Sequence, residues 1–311
     1  MRGSICPACA GALAPWRRAP ASEPALAGSF LLLRCNGCGT AVTGGSPVPE
    51  LHDSGAYAAA PPRLARAAAP VLHAFDRARL RLLARVAPPP GRLLDVGAGR
   101  GRFVAAARTA GYDASGLEPS AGRARAAEHE HGVRLAPGGI EDADVGAGSL
   151  DAVTLWHVLE HVEAPGPPVA RIAGWLRPGG ALLVGVPNLG SLQARAGGRR
   201  WYHLDLPRHR THFTVPGLLA LLRRAGLEPV SVHHVLAEHN AFGMWQSLVN
   251  RATTTPSYLY NLLKRNANPA PADLAVSLLA LPLVPAAAGL ELAAGAARRG
   301  GTVAVAAVRA G

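Results

Sequence analysis

Four cysteines, a glycine-rich turn with an acid downstream, and two histidine clusters are the residues whose types and spacing could do chemistry in this sequence. Cys6 and Cys9 form one C-x-x-C pair and Cys35 and Cys38 another, with 25 residues between the pairs and no cysteine left over. Each pair can present two thiolates from one tight turn. Four such sulfurs suit a tetrahedral zinc ion with no open position, so the ion would be structural and would activate no water. Two redox pairs or a disulfide framework are the competing readings, and a reducing compartment suits them less. The start MRGSICPACAG lacks the apolar run of a secretory signal, which makes a cytoplasmic location the expectation.

The glycine turn lies in LLDVGAGRGRF, residues 93–103. Apolar residues, Asp95, then Gly97, Gly99 and Gly101 read as a strand running into a tight turn and a helix. A dinucleotide fingerprint would be G-x-G-x-x-G, and here the third glycine comes one place early. Glycines at such a turn let backbone amides and a ligand approach where a Cβ would collide, and Asp95 can order the turn. Glu118 ends the next strand, 21 positions after Gly97, where a carboxylate can accept both ribose hydroxyls of an adenosine. Turn and acid together fit NAD and also S-adenosylmethionine.

The elements that must hold these residues follow from periodicity. From Arg92 the order is strand (RLLDVG), helix (GRFVAAARTAG), strand (YDASGLE) and helix (SAGRARAAEHEHG). This is the βαβ alternation of a doubly wound parallel sheet, whose ligands bind beyond the carboxyl ends of the strands. Upstream, the insert LAPWRRAPASEPALAGS between the cysteine pairs reads as a loose loop and TGGSPVPE as a linker. Residues 63–87 carry apolar side chains at helical spacing with arginines between them, broken by Pro70, and read as an amphipathic packing helix. Downstream, TVPGLLALLRRAGLEPVSVHHV reads as a helix, a cap at Gly226 and a strand, and GGTVAVAAVRA as a closing strand. Residues 274–290 run without a charge, short of a spanning helix and interrupted by Pro282 and Pro285. A buried helical pair packed on the sheet is favoured there over a greasy surface that makes peripheral contact with lipid.

At 311 residues the chain can bury a full core; 49% of it is apolar but only 5% aromatic, so much of that core is small side chains. The net charge of +12 invites a nucleic-acid reading. Yet every basic residue except Lys264 is an arginine, and they spread over most segments, so compositional bias is the favoured explanation and nucleic acid is not.

Two later stretches complete a pattern. SLDAVTLWHVLEHV, residues 149–162, is a buried strand followed by an abrupt polar cluster, and WLRPGGALLVGVPN, residues 175–188, is a helix end, a Gly-Gly turn and another buried strand. With them the sequence resembles the class I S-adenosylmethionine-dependent methyltransferases. DVGAGRG matches their first motif, GLEPS their ribose-binding acid, LDAVTLWHVLEHV their fourth-strand motif and LRPGGALLVGVPN their fifth, over roughly residues 63–309. The resemblance implies an α/β fold with a Rossmann-like, doubly wound, seven-stranded sheet whose last strand is antiparallel. It also implies S-adenosyl-L-methionine as methyl donor and a small-molecule acceptor such as a sugar, a lipid-linked intermediate or a secondary metabolite. The early third glycine fits, since this cofactor has no pyrophosphate to seat on a helix N-terminus. By resemblance, Asp95, Gly97, Ala98, Gly99 and Gly101 line the methionine end, Glu118 holds the ribose, Pro119 flanks the adenine and Trp156 joins the cofactor site. Many relatives place an acid after a glycine near the third strand; here GGIEDAD offers Ile140, so backbone contacts around Ile140 and Glu141 are expected instead.

Methyl transfer from a sulfonium is an in-line displacement, so holding the acceptor aligned and dry supplies much of the acceleration. In some relatives, including ubiquinone-type O-methyltransferases and small-RNA 2′-O-methyltransferases, an E-x-x-E-H version of the fourth-strand stretch holds magnesium. This chain has His157 in place of the first glutamate, which disfavours magnesium, and Glu160 and His161 are expected to order the loop. RRWYHLDLPRHRTHFT, residues 199–214, resembles the P-R-H…H-F-S/T segment of a large bacterial methyltransferase subgroup through Pro207, Arg208, His209, His212, Phe213 and Thr214. A helical lid over the acceptor is expected there. His209, His212 and His157 are the candidates for a base or an orienting group, since imidazole takes a proton near neutral pH. Trp201, Tyr202 and Arg208 would shape the pocket or hold an anionic acceptor.

The chain then divides into a zinc ribbon (1–45), a linker with N-terminal helices (46–90), a cofactor-binding core (91–187), a lid insertion (188–225) and the C-terminal part of the sheet with an apolar helical insertion (226–311). The rivals are an RNA methyltransferase that uses the ribbon on nucleic acid, and a cofactor-binding regulator without turnover.

Overall fold

The computed structural model describes residues 5–26, 28–46, 48, 69–236 and 240–311. The two C-x-x-C turns flank a hairpin of β1 (Leu13–Pro20) and β2 (Ser29–Cys35), paired antiparallel with Leu13 opposite Cys35 and Pro20 opposite Ser29. The insert between the cysteine pairs is therefore largely ordered strand, not the loose loop its composition suggests. The register slips between Pro15 and Arg17, and Pro20 falls at the end of the strand. The guanidinium of Arg17 sits 3.3 Å from the Trp16 ring centre and that of Arg34 4.9 Å from it, while Ala19 and Leu32 are buried. Cation–π stacking and burial thus hold a stretch that local propensity reads as loop.

The remaining elements follow as α1 (Ala69–Ala84), β4 (Arg92–Val96), α2 (Arg102–Thr109), β5 (Asp113–Glu118), α3 (Ala121–His131), β6 (Ala136–Pro137), β7 (Leu150–Trp156), α4 (Gly166–Trp175) and β8 (Leu176–Pro187). After β3 (Ala41–Thr43) in the first sheet, the later strands are β9 (Thr211–His212), β10 (Leu227–His233) and β11 (Thr302–Arg309), and the later helices α5 (Leu192–Gly197), α6 (Val215–Arg224), α7 (Asn240–Val249), α8 (Tyr258–Leu263), α9 (Pro271–Leu279) and α10 (Val284–Ala296). Of the helix expected over 63–87, residues 63–68 lie outside the described residues, as do residues 47, 49 and 50 of the expected linker, whose first residue, Thr43, ends a strand.

The large sheet has the order β10-β11-β8-β7-β4-β5-β6, parallel from β8 to β6, with β11 antiparallel between β8 and β10. This is the seven-stranded arrangement expected. Its central strands are continuous apolar runs because both faces are covered: Leu94, Val153, Leu155 and Val184 pack on one face, and Leu93, Ala152, Leu183 and Ala306 on the other. Each large side chain buried there is worth roughly 1.5–3 kcal/mol. The strand order reverses between β4 and β7, and the crevice at their carboxyl ends is where the glycine turn lies.

A second, four-stranded sheet has the order β1-β2-β3-β9. Its last member comes from the segment expected as a lid: Ala41 pairs with His212 and Val42 with Thr211.

The apolar helices α9 and α10 correct an expectation. They are not a buried pair packed on the sheet: Leu279 is 81% exposed, Leu283 61% and Leu292 57%. Only part of the pair packs, Val276, Ala280, Val284 and Ala287 meeting Met244 and Trp245 of α7. Both helices are apolar nearly all round, so one contact face leaves the rest to the outside. The run Pro271–Ala296 is long and apolar enough by length and composition to cross a membrane, with mean hydropathy 1.8.

Candidate active site

β4 delivers the glycine turn with a backbone that only glycine tolerates. Gly97 has φ +71°, and a Cβ there would stand 2.4 Å from Cγ2 of Val158, in the loop after β7. The Gly97 and Ala98 amides both donate to the Leu117 carbonyl at 2.9 Å, which docks the turn on β5. Glu118 at the end of β5 is buried, and one of its oxygens faces the turn. Oε2 accepts from the Gly99 amide at 2.8 Å; Oε1 accepts from the Ser120 amide at 2.9 Å and from Arg123 at 3.3 Å. Three of its roughly four lone-pair sites are taken, so a vicinal diol can donate twice only by displacing the longer Arg123 contact.

A cavity of about 440 Å³ opens above this acid, walled by Gly97, Glu118, Pro119, Ile140, Glu141 and His157, with Val158, His161 and Val162 on its far side. Six of the residues singled out in the sequence thus converge on one pocket. A wider groove of about 570 Å³, beside α1, is lined by Leu80, Pro89, Ala110 and Tyr112 among arginine stems and lacks comparable convergent polar groups.

Four expected cofactor residues face elsewhere. The Asp95 carboxylate turns inward, accepting from Thr154 Oγ1 at 2.5 Å and from Arg79 at 3.3 Å; burial, against the pull of Arg79, raises its pKa. Ala98 packs among Phe103 and Val104 in the core. Gly101 is a packing glycine, because a Cβ there would meet Ala127 of α3 at 2.8 Å. The Trp156 ring lies over Gly185 and under the Arg79 guanidinium, 4.7 Å away, on the opposite side of the strand from the pocket. β-strand alternation is the reason: Leu155 packs on the same side as the pocket-lining Val96, so Trp156, next along the strand, faces the other side.

His157 follows β7 with φ +55°, an uncommon conformation for a non-glycine residue that aims its ring into the pocket. Its Nδ1 is 2.9 Å from Glu160 Oε1, and its ring stacks on His203 at 6.1 Å. Burial opposes ionisation of Glu160, but the His157 hydrogen bond and the fields of His157, His209 and His161 hold its carboxyl at about 2. His209 lies behind the pocket wall, its ring 4.7 Å from that of His161 and its Nδ1 2.9 Å from the His203 carbonyl.

His212 is not at the pocket. It sits on β9, fully enclosed, with Nε2 2.9 Å from Thr43 Oγ1 of β3. Burial first, and then the charges of His209 and Arg210, push its pKa down to about 3, so it takes no proton near neutrality. The expectation that it serves as a base is corrected accordingly. Arg208 is also committed elsewhere, donating to Glu23 at 2.5 Å and to Asp205 at 2.7 and 3.0 Å, so it is a buried tie and not an anion hook. Trp201 donates to Gln193 at 2.8 Å within the core.

The four cysteines gather at the base of the β1–β2 hairpin. Their sulfurs all lie within 4.8 Å of one another, Cys6 and Cys38 at 3.7 Å and Cys9 and Cys35 at 3.4 Å. Disulfide sulfurs stand about 2.05 Å apart. A tetrahedral zinc with bonds of about 2.3 Å sets its sulfurs about 3.8 Å apart. Burial raises the Cys35 thiol, but amides of Cys38 and Gly37 and the Cys9 thiol outweigh it and bring it to about 7, whereas burial pushes Cys6 up to about 12 and raises Cys38. The set therefore has the donors and spacing to hold such an ion.

Two contributors escaped sequence reasoning. Arg79 on α1 neutralises Asp95 beneath the turn and lies 3.8 Å from the Phe103 ring, and His203 backs His157. Arginine at an inward helical position was the available signal for the first; the second had none.

Residues 66–232 match a family described as "Methyltransferase domain". A ubiquinone biosynthesis O-methyltransferase of Bordetella avium is 34% identical over 202 residues, 60% of this chain and 82% of that protein. One from Xanthomonas axonopodis pv. citri is 33% identical over 180 residues, 54% of this chain and 75% of that protein. Among solved structures, the cyclase SpnF aligns with TM-score 0.50 at 21% identity, covering 76% of this chain and 80% of the other. That last likeness is one of fold.

Proposed function

Because the chain belongs to the methyltransferase domain family and is an S-adenosylmethionine-dependent methyltransferase, we propose that it methylates a small-molecule acceptor presented to the pocket above Glu118. The observation that carries this reading is the pairing of Glu118 with the Gly99 amide beside a cavity that Glu118, His157 and His161 all line. When bound, S-adenosylmethionine supplies a methyl group on a sulfonium for in-line displacement by the acceptor.

In this proposal Glu118 accepts the two ribose hydroxyls, Pro119 and the backbone of Ile140 and Glu141 flank the adenine, and the Gly97–Gly99 turn admits the methionine portion. His157, held by Glu160 through Nδ1 and stacked on His203, lines the acceptor side of the pocket and shapes it. The segment 188–225, with its P-R-H…H-F-T stretch, forms the wall that closes the acceptor side, and His209 positions His161 there. Cys6, Cys9, Cys35 and Cys38 hold a structural zinc that makes the N-terminal region a ribbon; the sulfur spacing supports this. The exposed leucines of α9 and α10 support peripheral contact with a lipid surface at the cytoplasmic side, which sedimentation with liposomes would test; Leu279→Asp should reduce it.

The test of the main reading is transfer of radiolabelled methyl from the donor into fractionated host metabolites. Label in a small-molecule fraction supports it. Label only in RNA, or none despite calorimetric cofactor binding, overturns it in favour of a nucleic-acid enzyme or a non-catalytic binder.

A further inference from the structure

The geometry points to a second small-molecule site, remote from the cofactor pocket, that takes a single-chain amphiphile with an anionic head, a medium-chain carboxylate. It is the groove of about 570 Å³ between α1 and the turn that joins α2 to β5. Leu80, Ala84, Pro89 and Tyr112 give it an apolar lining, and Arg77 and Arg81 complete it. Leu80 and Tyr112 are buried and form the floor. The Tyr112 hydroxyl donates to the Ala87 carbonyl at 2.7 Å, so what Tyr112 offers the groove is ring.

The charge beside this lining is one-sided. Arg77 and Arg81 are four residues apart, so both stand on one face of α1, their stems along the groove and their heads exposed. No acid lies three or four residues from either, and the one acid of α1, Asp76, is taken by Arg102 at 2.6 and 3.1 Å. Neither guanidinium has a hydrogen bond or an ion pair among the described residues. Two like charges at that spacing repel each other, and an anion seated between them relieves the repulsion. A guanidinium fork also matches a carboxylate with two parallel hydrogen bonds.

Size decides the class of occupant. Small-molecule pockets run from about 300 to 1,000 Å³, whereas a protein partner covers about 20–30 residues a side, far more than line this groove. A bilayer headgroup is the other source of such an anion, and position argues against it. The groove lies before the amino ends of β4 and β5, while α10 leads into β11 where Thr302 pairs with Pro187, at the carboxyl end of β8. The glycine turn is at that carboxyl edge too. The groove is therefore set apart both from the apolar helices and from the cofactor pocket, and binding there does not depend on methyl transfer.

Calorimetric titration of the full chain with dodecanoate, kept below its micellar concentration, tests this. One equivalent should bind, and each methylene removed between dodecanoate and octanoate should weaken binding about fourfold. Arg77→Gln and Arg81→Gln, both at exposed positions, should each weaken it about tenfold. Ala110→Trp, which fills the groove and leaves both charges, should weaken it as much, and the Kd for S-adenosylhomocysteine should stay at its wild-type value throughout. No saturable equivalent, dodecylamine binding as tightly as dodecanoate, or unchanged affinity in the Arg77→Gln/Arg81→Gln double variant would each overturn the site. Loss of dodecanoate binding in Leu279→Asp would also overturn it, by placing the chain on α9. So would an absence of dodecanoate binding together with weaker sedimentation of the double variant with anionic liposomes, which would make bilayer headgroups the source of the anion.

Discussion

Replacing Glu118 with alanine is the perturbation that bears most directly on the cofactor pocket. The side chain is buried and its oxygens receive the Gly99 and Ser120 amides at 2.8 and 2.9 Å, so the carboxylate is held in place before any ligand arrives. Two ribose hydroxyls donating to it make charge-assisted hydrogen bonds worth about 1.5–3 kcal/mol each. Water entering the open pocket re-satisfies the two amides in the variant, which favours the lower end. A total loss of about 3 kcal/mol corresponds to a Kd for S-adenosylhomocysteine raised roughly 100-fold. Calorimetric titration reads this directly. A 2′-deoxy analogue should lose about tenfold against the wild-type protein and almost nothing further against Glu118→Ala, because the missing hydroxyl has no partner left. Arg123→Ala, which removes a partly exposed guanidinium at 3.3 Å, should change the Kd by less than about threefold. A Glu118→Ala protein with native unfolding behaviour and a Kd within threefold of wild type would refute the assignment of the ribose to this acid.

Three further outcomes follow from the geometry. Gly97→Ala places a Cβ 2.4 Å from Val158 at φ +71° and should cost about 2–3 kcal/mol in urea unfolding, part of it recovered by adding Val158→Ala; no recovery would mean that backbone strain alone is responsible. His212, held at about 3 when folded, leaves the unfolded chain to bind the extra proton below about pH 6.5, so stability should fall with acidification by about 2 kcal/mol between pH 7 and 5. His212→Gln should lack that component, and equal slopes in the two proteins would contradict the burial argument. Arg208→Leu strands the buried carboxylates of Glu23 and Asp205 and should cost about 3–5 kcal/mol, whereas a change under 1 kcal/mol would show that the pair is not desolvated in solution.

What was legible in the sequence is what one-dimensional pattern encodes. The runs RLLDVG and LDAVTLW declare buried strands and YDASGLE a neighbouring one, and the residue at the end of each falls at the ligand edge, which is why Gly97, Glu118 and His157 meet in one pocket. Direction was harder. Asp95 and Trp156 lie at the correct end of their strands yet point away, because alternation decides the face and a motif does not state its phase. Pairings across the chain were invisible: nothing local predicts that Thr211 and His212 extend a sheet begun at Leu13, or that Arg34 joins Arg17 at the Trp16 ring in a strand with two prolines. Exposure of α9 and α10 was misjudged since an all-apolar stretch has no polar side to say which face is free.

The shared sheet ties the cysteine-bearing hairpin to the segment proposed to close the acceptor side, and this has a consequence for the proposed zinc. Thr214 Oγ1 donates to the Cys38 carbonyl at 2.6 Å, Thr43 Oγ1 donates to the His209 carbonyl at 2.7 Å, and Arg208 reaches Glu23 beyond β1. The cofactor turn is held by other means, through β5 and Val158. Small cysteine ribbons owe their folding to the metal, with apparent binding energies of about 10–16 kcal/mol, so Cys35→Ser should release zinc and loosen β2, β3 and β9 together. Damage should then fall unevenly: the apparent KM for acceptor rises and kcat drops at least tenfold, while the Kd for S-adenosylhomocysteine stays within about threefold. Zinc retained at one equivalent would contradict the four-thiolate site. Zinc lost with acceptor kinetics intact would show that β9 keeps its place without the ribbon, and that the two regions are adjacent but not coupled.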